Sequence, residues 1–178
     1  MFLNMCIRHS YLPDDLMKTL VVPVVKNKTG DLSDKRNYRP ISLATIVAKV
    51  LDSVLESCLD KYINIHDAQF GFRPGLSTES AILVLKHTIQ YYTERKTPVY
   101  ACFLDLSKAF DLVSYEVLWR KMEDRGLPAE LVRIFQYWYS NQTNCVRWSN
   151  CLSETYRLEY GVRQGGLSSP NLFKGIRK

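Results

Sequence analysis

An apolar, strand-favouring run, Val99 to Leu104, ends at Asp105 and is followed by a small-residue turn, Ser107-Lys108-Ala109, then Phe110 and Asp111. The run predicts a buried strand, and the other elements are read as arranged around it. A carboxylate at the carboxyl end of such a strand is a common place to hold a metal ion, because the sheet fixes it rigidly against water. The alternative for an Asp in that position is a turn or cap residue. The local pattern leaves both open.

Around this strand the sequence alternates strand and helix signals. Residues 1–20 are weakly patterned, with a short helix expected over Asp14–Leu20, where Asp14 and Asp15 are acids at a helix start. Val21 to Lys26 reads as a strand carrying an edge-type proline, Pro23. The loop 27–38 is polar and has Lys26, Lys28, Lys35, Arg36 and Arg39 in or beside it. Basic side chains around such a loop suit phosphate, and a solvated hairpin tip is the plain alternative. Thr45 caps a long helix in which Val47, Val50, Leu51, Val54, Leu55, Cys58, Leu59 and Tyr62 form one apolar stripe. Residues 66–77 form an aromatic, basic loop. There Phe70, Phe72 and Arg73 either face nucleic acid by stacking or plug the core beneath. Thr78 caps a helix to about Arg95 that buries Ala81, Ile82, Leu85, Ile89 and Tyr92.

Beyond the central run, Ser114 to Arg125 is helical, with Gly126 and Pro128 marking its stop and the next start. Leu131, Ile134, Phe135 and Trp138 give a second buried helix face. Segments 144–148 and 154–160 pair as a hairpin across Ser149–Ser153. The stretch Gly161-Val162-Arg163-Gln164-Gly165-Gly166-Leu167-Ser168-Ser169-Pro170 leads into a helix with Ser169 as N-cap and Pro170 at its first position. So short a terminal helix holds only if it is packed.

Charge and cysteine usage narrow the class. The net charge of +6, with a pI near 9.1, favours a polyanionic partner. Five cysteines without a C-x-x-C spacing, and three scattered histidines, argue against zinc and fit reduced thiols in an intracellular protein. No apolar run reaches the length of a membrane span, and no targeting signal is legible.

Five blocks stand in a telling order: Val-Pro-Val-Val-Lys (22–26), Tyr-Arg-Pro-Ile-Ser-Leu (38–43), Gln-Phe-Gly-Phe-Arg-Pro-Gly-Leu-Ser-Thr (69–78), Phe-Leu-Asp-Leu-Ser-Lys-Ala-Phe-Asp (103–111) and Gly-Val-Arg-Gln-Gly-Gly-Leu-Ser-Ser-Pro (161–170). Together they resemble the reverse transcriptases of non-LTR (LINE-type) retrotransposons, over about residues 20–175. A group II intron-type enzyme is the nearby alternative, from which the Tyr-Arg-Pro-Ile-Ser-Leu block leans away. The resemblance implies an α+β right-hand polymerase, with helices packed on a small antiparallel sheet. Residues 1–20 would be a flank, 21–97 the fingers and 98–178 a partial palm. It implies an RNA template, a DNA primer and deoxynucleoside triphosphates as partners, with no membrane; localisation is not legible in the residues, and the resemblance is compatible with an intracellular setting such as the nucleus.

Residue by residue, the resemblance makes Asp105 the catalytic Mg²⁺-binding carboxylate and the Leu106 backbone carbonyl a second ligand. Phe110 matches the aromatic floor that rejects a ribose 2′-hydroxyl, a core aromatic being its alternative. Asp111 fits the family pattern as a turn and helix-start residue, a metal ligand being its alternative. Gln164 and Gly165 match the second palm motif beside the nucleotide, although Leu167-Ser168 stands where two apolar residues are usual. Arg39 and Lys26 fall where the fingers cradle triphosphate, and Lys28, Phe70 and Arg73 where they meet nucleic acid. The family's Tyr/Phe-x-Asp-Asp hairpin and thumb do not occur by Lys178. Tyr11–Asp15 does not substitute, having one residue too many and a proline. The expectation is therefore a truncated copy or partial gene model, inactive alone. An RNA-binding remnant and a product without function are its rivals.

Overall fold

The computed structural model describes residues 1–106 and 108–176, with side chains to Lys174, so Ser107 of the expected small-residue turn lies outside it. The chain divides into two compact units, one of residues 1–63 with 108 onward and one of residues 64–107.

The first unit opens with α1 (Phe2–His9), which weak patterning concealed, and α2 (Asp14–Met17). Asp14 and Asp15 do begin α2, but the backbone extends again at Lys18, so the expected helix to Leu20 is cut to one turn. Strand β1 (Lys18–Val25) pairs antiparallel with β2 (Tyr38–Ala44) and parallel with β3 (Thr143–Trp148), which turns back into β4 (Cys151–Leu152). The sheet order is β2-β1-β3-β4. The expected antiparallel sheet is thus mixed. The long helical excursion between β2 and β3 supplies the crossover that a parallel pair requires and a hairpin cannot.

Pro23 faces Pro40 across the β1–β2 ladder. Lys26 N–H donates to Asn37 O at 2.7 Å, which makes the Pro23–Pro40 position a non-hydrogen-bonded pair by the alternation of an antiparallel ladder. Both ring nitrogens therefore point outward, and the ladder loses nothing. Pro23 lies beyond Val21, the last β1 residue paired with β3, so it occupies an edge as prolines in sheets do. The β3–β4 turn is tighter than expected: Arg147 pairs with Leu152 and Trp148 with Cys151, leaving Ser149-Asn150 as the loop, with Ser149 at φ 53°. Residues 154–160 contribute only isolated bridges, Asn144 to Tyr156 and Ser114 to Tyr160.

The core is helical. In α3 (Ile46–Leu59), Thr45 Oγ1 accepts from Ala48 N–H at 3.3 Å as the cap. The buried stripe is Ala48, Leu51, Leu55 and Leu59, while Val47, Val50 and Val54 of the expected stripe are exposed. The helix is turned so that Asp52 is also inside. Then come α4 (Thr78–Glu94) in the second unit, α5 (Tyr115–Asp124), α6 (Ala129–Asn141) and α7 (Ser169–Ile176). Gly126, at φ +71°, ends α5, and all four predicted α6 positions, Leu131, Ile134, Phe135 and Trp138, are buried. Helix α6 packs on α1, α2 and α5, and α7 on α3 and α5. Helix α7 survives its shortness by burying Leu172, and Asn171 donates to Asp60 at 2.6 Å. Each Leu side chain so buried contributes about 1.5–3 kcal/mol.

The second unit corrects two expectations. Ser77, not Thr78, caps α4, in a reciprocal arrangement with Ser80. The helix has no buried residue: Ile82, Leu83, Val84 and Ile89 are all exposed. An amphipathic helix buries its stripe only against a partner element, and among the described residues of this unit α4 is the sole helix. Val99 to Leu104, expected to be a buried strand, is irregular, with Tyr100 92% and Leu104 93% exposed. A strand needs a neighbour for its backbone N–H and C=O groups, and no strand pairs with it among the described residues.

Tyr139 is fully buried against Trp119, Phe135 and Tyr115, and burial pushes the Tyr115 and Tyr139 phenols well above the ordinary tyrosine value. The unfolded chain releases these protons near pH ~10 while the folded chain keeps them, so stability falls as pH rises past that point. Denaturant unfolding at stepped alkaline pH should show this loss, and it should be shallower in Tyr139→Phe.

Candidate functional site

The site grows from a buried carboxylate. Asp52, on α3, accepts from Leu167 N–H at 2.8 Å and from Ser168 Oγ at 2.5 Å, and pairs with Arg163 Nη2 at 3.4 Å. The Arg163 side chain is itself 2% exposed and lies over the Trp138 ring at 4.0 Å. An ion pair this deep is held by its further hydrogen bonds and by the aromatic face, since Coulomb attraction alone roughly cancels desolvation. Its effect is to clamp the 161–168 loop onto the helical core.

That loop touches two other stretches of chain. Gly161 N–H donates to Val113 O and Val162 N–H to Phe110 O, each at 2.8 Å. A Cβ at Gly161, whose φ is +92°, would come within 3.0 Å of Asp111 O. On the other side Gln164 O accepts from Ser42 N–H of β2 at 2.7 Å. Gly165, at φ +103°, lies so near that its Cβ would meet Ser42 O at 3.1 Å. Both glycines are required where loop backbone meets backbone. Gln164 Nε2 then donates to Asp111 Oδ1 at 2.8 Å, which ties loop to turn through their side chains.

These contacts frame an open pocket of about 660 Å³ lined by Lys26, Lys35, Arg36, Arg39 and Lys108, with Tyr38, Phe110, Asp111 and Gln164. Five cations face one carboxylate. Lys26 Nζ donates to Arg36 O at 2.8 Å, which pins the loop end across the hairpin. Arg36 is paired with Asp34 at 2.9 Å, and the hydrogen bond from its guanidinium holds the Asp34 carboxyl below the usual carboxylate range. The Phe110 ring stacks on Phe173 with centroids 5.1 Å apart, so its plane is fixed at the pocket wall. Chemically, the arrangement suits a polyanion with a flat or sugar-like group beside it.

Of the residues singled out in the sequence, Lys26, Arg39, Phe110 and Gln164 line this pocket, and Gly165 shapes the loop that presents Gln164. Lys28 is exposed at the hairpin tip and does not line it. Asp105 and Leu106 belong to the exposed irregular stretch of the second unit. Phe70 is half-buried there, and Arg73 is engaged by Asp67 at 3.1 Å. Sequence reasoning missed Asp52, although a carboxylate among the apolar positions of α3 was a signal, and it missed Asp111 as the partner of Gln164.

Residues 25–176 match the reverse transcriptase (RNA-dependent DNA polymerase) family. The chain belongs to that family. It is 29% identical over 170 residues to the retrovirus-related Pol polyprotein from type-1 retrotransposable element R2 of Popillia japonica, covering 94% of this chain and 23% of the relative. The type-2 element R2DM polyprotein of Drosophila melanogaster is 30% identical over 162 residues, covering 89% of this chain and 15% of the relative. The probable RNA-directed DNA polymerase from transposon BS, also of Drosophila melanogaster, is 27% identical over 175 residues, covering 96% and 19%. The chain is thus part of a non-LTR retrotransposon reverse transcriptase domain, and it spans less than a quarter of the length of each of these relatives.

Reverse transcriptases generally use a divalent metal, Mg²⁺. Among the described residues no group of three or more His, Cys, Asp or Glu side chains is placed to hold a metal ion. Mg²⁺ is commonly held by one or two carboxylates, with waters and substrate phosphates completing its six oxygens, and Asp105 with one carbonyl is the smaller end of such a set.

Asp52→Ala should leave Arg163 buried without its counter-charge, at a cost of about 3–5 kcal/mol. Urea unfolding of the variant measures it, and a value under about 1 kcal/mol would mean that the pair does not anchor the loop.

Proposed function

We propose that this chain forms the fingers (21–97) and part of the palm (98–178) of a polymerase that copies RNA into DNA, and that the basic pocket receives the triphosphate of an incoming deoxynucleotide. The observation that supports this best is the convergence of Lys26 and Arg39 with Phe110 and Gln164 on one pocket. These residues come from three separate stretches of sequence. Lys26, Arg39, Lys35 and Lys108 neutralise the phosphates, which lowers the electrostatic cost of bringing a polyanion against the chain. Phe110 lies under the sugar, where its fixed ring leaves no room for a 2′-hydroxyl. Gln164, held by Asp111, contacts the nucleotide, and Gly165 keeps the loop close to β2.

Template RNA and primer DNA are the proposed partners, with Lys28, Phe70 and Arg73 meeting the strand. Asp105 and the Leu106 carbonyl are the donors this chain contributes towards Mg²⁺. One carboxylate and one carbonyl would leave a two-ion site under-coordinated, so charge at a transferring phosphoryl group would be poorly neutralised. Binding without synthesis is therefore the behaviour proposed for the chain alone.

Photo-crosslinking of a labelled deoxynucleoside triphosphate to the chain at low salt tests the pocket. Labelling should occur, inorganic tripolyphosphate should compete, and Lys26→Ala with Arg39→Ala should weaken it by about tenfold or more, since each charge-assisted hydrogen bond contributes roughly 1.5–3 kcal/mol. Labelling indifferent to both substitutions would sink the assignment. In the same assay Phe110→Ala should narrow the preference for deoxyribonucleotides over ribonucleotides, and an unchanged ratio would remove Phe110 from the sugar site.

A further inference from the structure

Beside the basic pocket lies a second one, of about 520 Å³, that the nucleotide reading leaves unused. It is lined by Pro23, Pro40, Tyr38 and Trp148 together with Leu32, Ser33 and Lys35. Trp148, the last residue of β3, is 55% exposed. Its indole meets the Tyr38 ring edge-on, with centroids 5.3 Å apart and planes at 64°. The Tyr38 hydroxyl donates to Leu32 O at 2.8 Å, so the phenol cannot swing away. The result is a largely apolar slot with two aromatic rings among its walls, one of them anchored by its hydroxyl. Lys35, Tyr38 and Pro40 line both pockets, so the slot opens directly onto the cluster of five cations.

We infer that Trp148 and Tyr38 form a stacking platform for a base of single-stranded RNA, whose flanking phosphates run onto Lys35 and the neighbouring cations. This rests on the nucleic-acid reading above and adds to it a base-binding position on the β-hairpins. Two observations favour RNA over an apolar peptide. An exposed indole held by a second aromatic ring offers a π-face, which every base can use whatever its sequence. The charge beside the slot is strongly positive, as a phosphodiester backbone requires and an apolar peptide does not. The hydrogen bond that anchors Tyr38 also pre-organises the slot, so little ordering entropy is lost on binding.

The test uses the whole chain with a labelled oligouridylate, and inorganic polyphosphate as a probe that has charge but no bases. Trp148→Ala should weaken oligouridylate binding by roughly five- to hundredfold, the range for one lost stacked base. Its affinity for polyphosphate should stay within about twofold, because that probe uses only the cations. Trp148→Phe should recover most of the loss. Oligouridylate should also quench the indole emission of the wild-type chain and not that of Trp148→Phe, which isolates Trp148 from Trp119 and Trp138 and holds even where Trp148→Ala folds poorly. Equal weakening for both probes, or equal quenching in wild type and Trp148→Phe, would overturn the platform. A dimer seen by sedimentation and abolished by Trp148→Ala would give the slot to a second copy and overturn it too. Failure of the nucleic-acid reading would look different: neither probe would bind at low salt, whatever stands at position 148.

Discussion

A single buried carboxylate holds the first unit's site together. Asp52 is 3% exposed, accepts from a backbone N–H and a serine hydroxyl, and forms an ion pair with an arginine that is buried as deeply. Burying a charge is costly unless it is paired and hydrogen-bonded, and here each carboxylate oxygen accepts one hydrogen bond beside a counter-charge. The consequence is positional. The segment from Gly161 to Ser168 contains no helix or strand, yet its backbone approaches both β2 and the Phe110–Val113 turn at hydrogen-bonding distance. Without an anchor beneath it, so irregular a stretch would sample many conformations. With one, Gln164 reaches Asp111 and the pocket acquires its third wall.

The pocket is a meeting of three pieces that are far apart in sequence, and each is stiffened differently. The hairpin of β1 and β2 is braced by its ladder and by Asn37, whose side chain bonds Asn27 and Asp31. The turn from Lys108 to Val113 is braced by Gly161 and Val162 and by the stacking of Phe110 on Phe173. The loop is braced by Asp52. Lys26, Lys35, Arg36, Arg39 and Lys108 gather around one pocket, with Arg36 paired to Asp34, so the pocket favours an anionic ligand.

The elements that could be read from sequence are those whose signal is local. Helix α6 shows its four buried positions in its spacing, Gly126 and Thr45 mark helix ends by backbone and side-chain chemistry, and the Lys26–Arg39 charge cluster is visible as composition. What could not be read depends on partners. The Val99–Leu104 run has strand propensity but no ladder neighbour, and α4 has an apolar stripe with nothing of its unit to cover it. The parallel β1–β3 pairing and the Asp52–Arg163 contact join residues more than a hundred positions apart, and no periodicity records them. The pocket was half legible for the same reason. Its residues were visible singly, and their convergence was not.

The prolines carry a last consequence. On the outer side of β2, Ser42 gives its N–H to Gln164, and Pro40 has none to give. A foreign strand sliding up to that edge would therefore find two successive outward positions closed, one occupied and one chemically blank. Open β-edges are where chains recruit copies of themselves into aggregates, and proline is among the devices that blunt them. The loop that completes the pocket is thus also a guard. By engaging β2 it occupies an outward position of that edge, so edge protection and a formed site draw on the same contact.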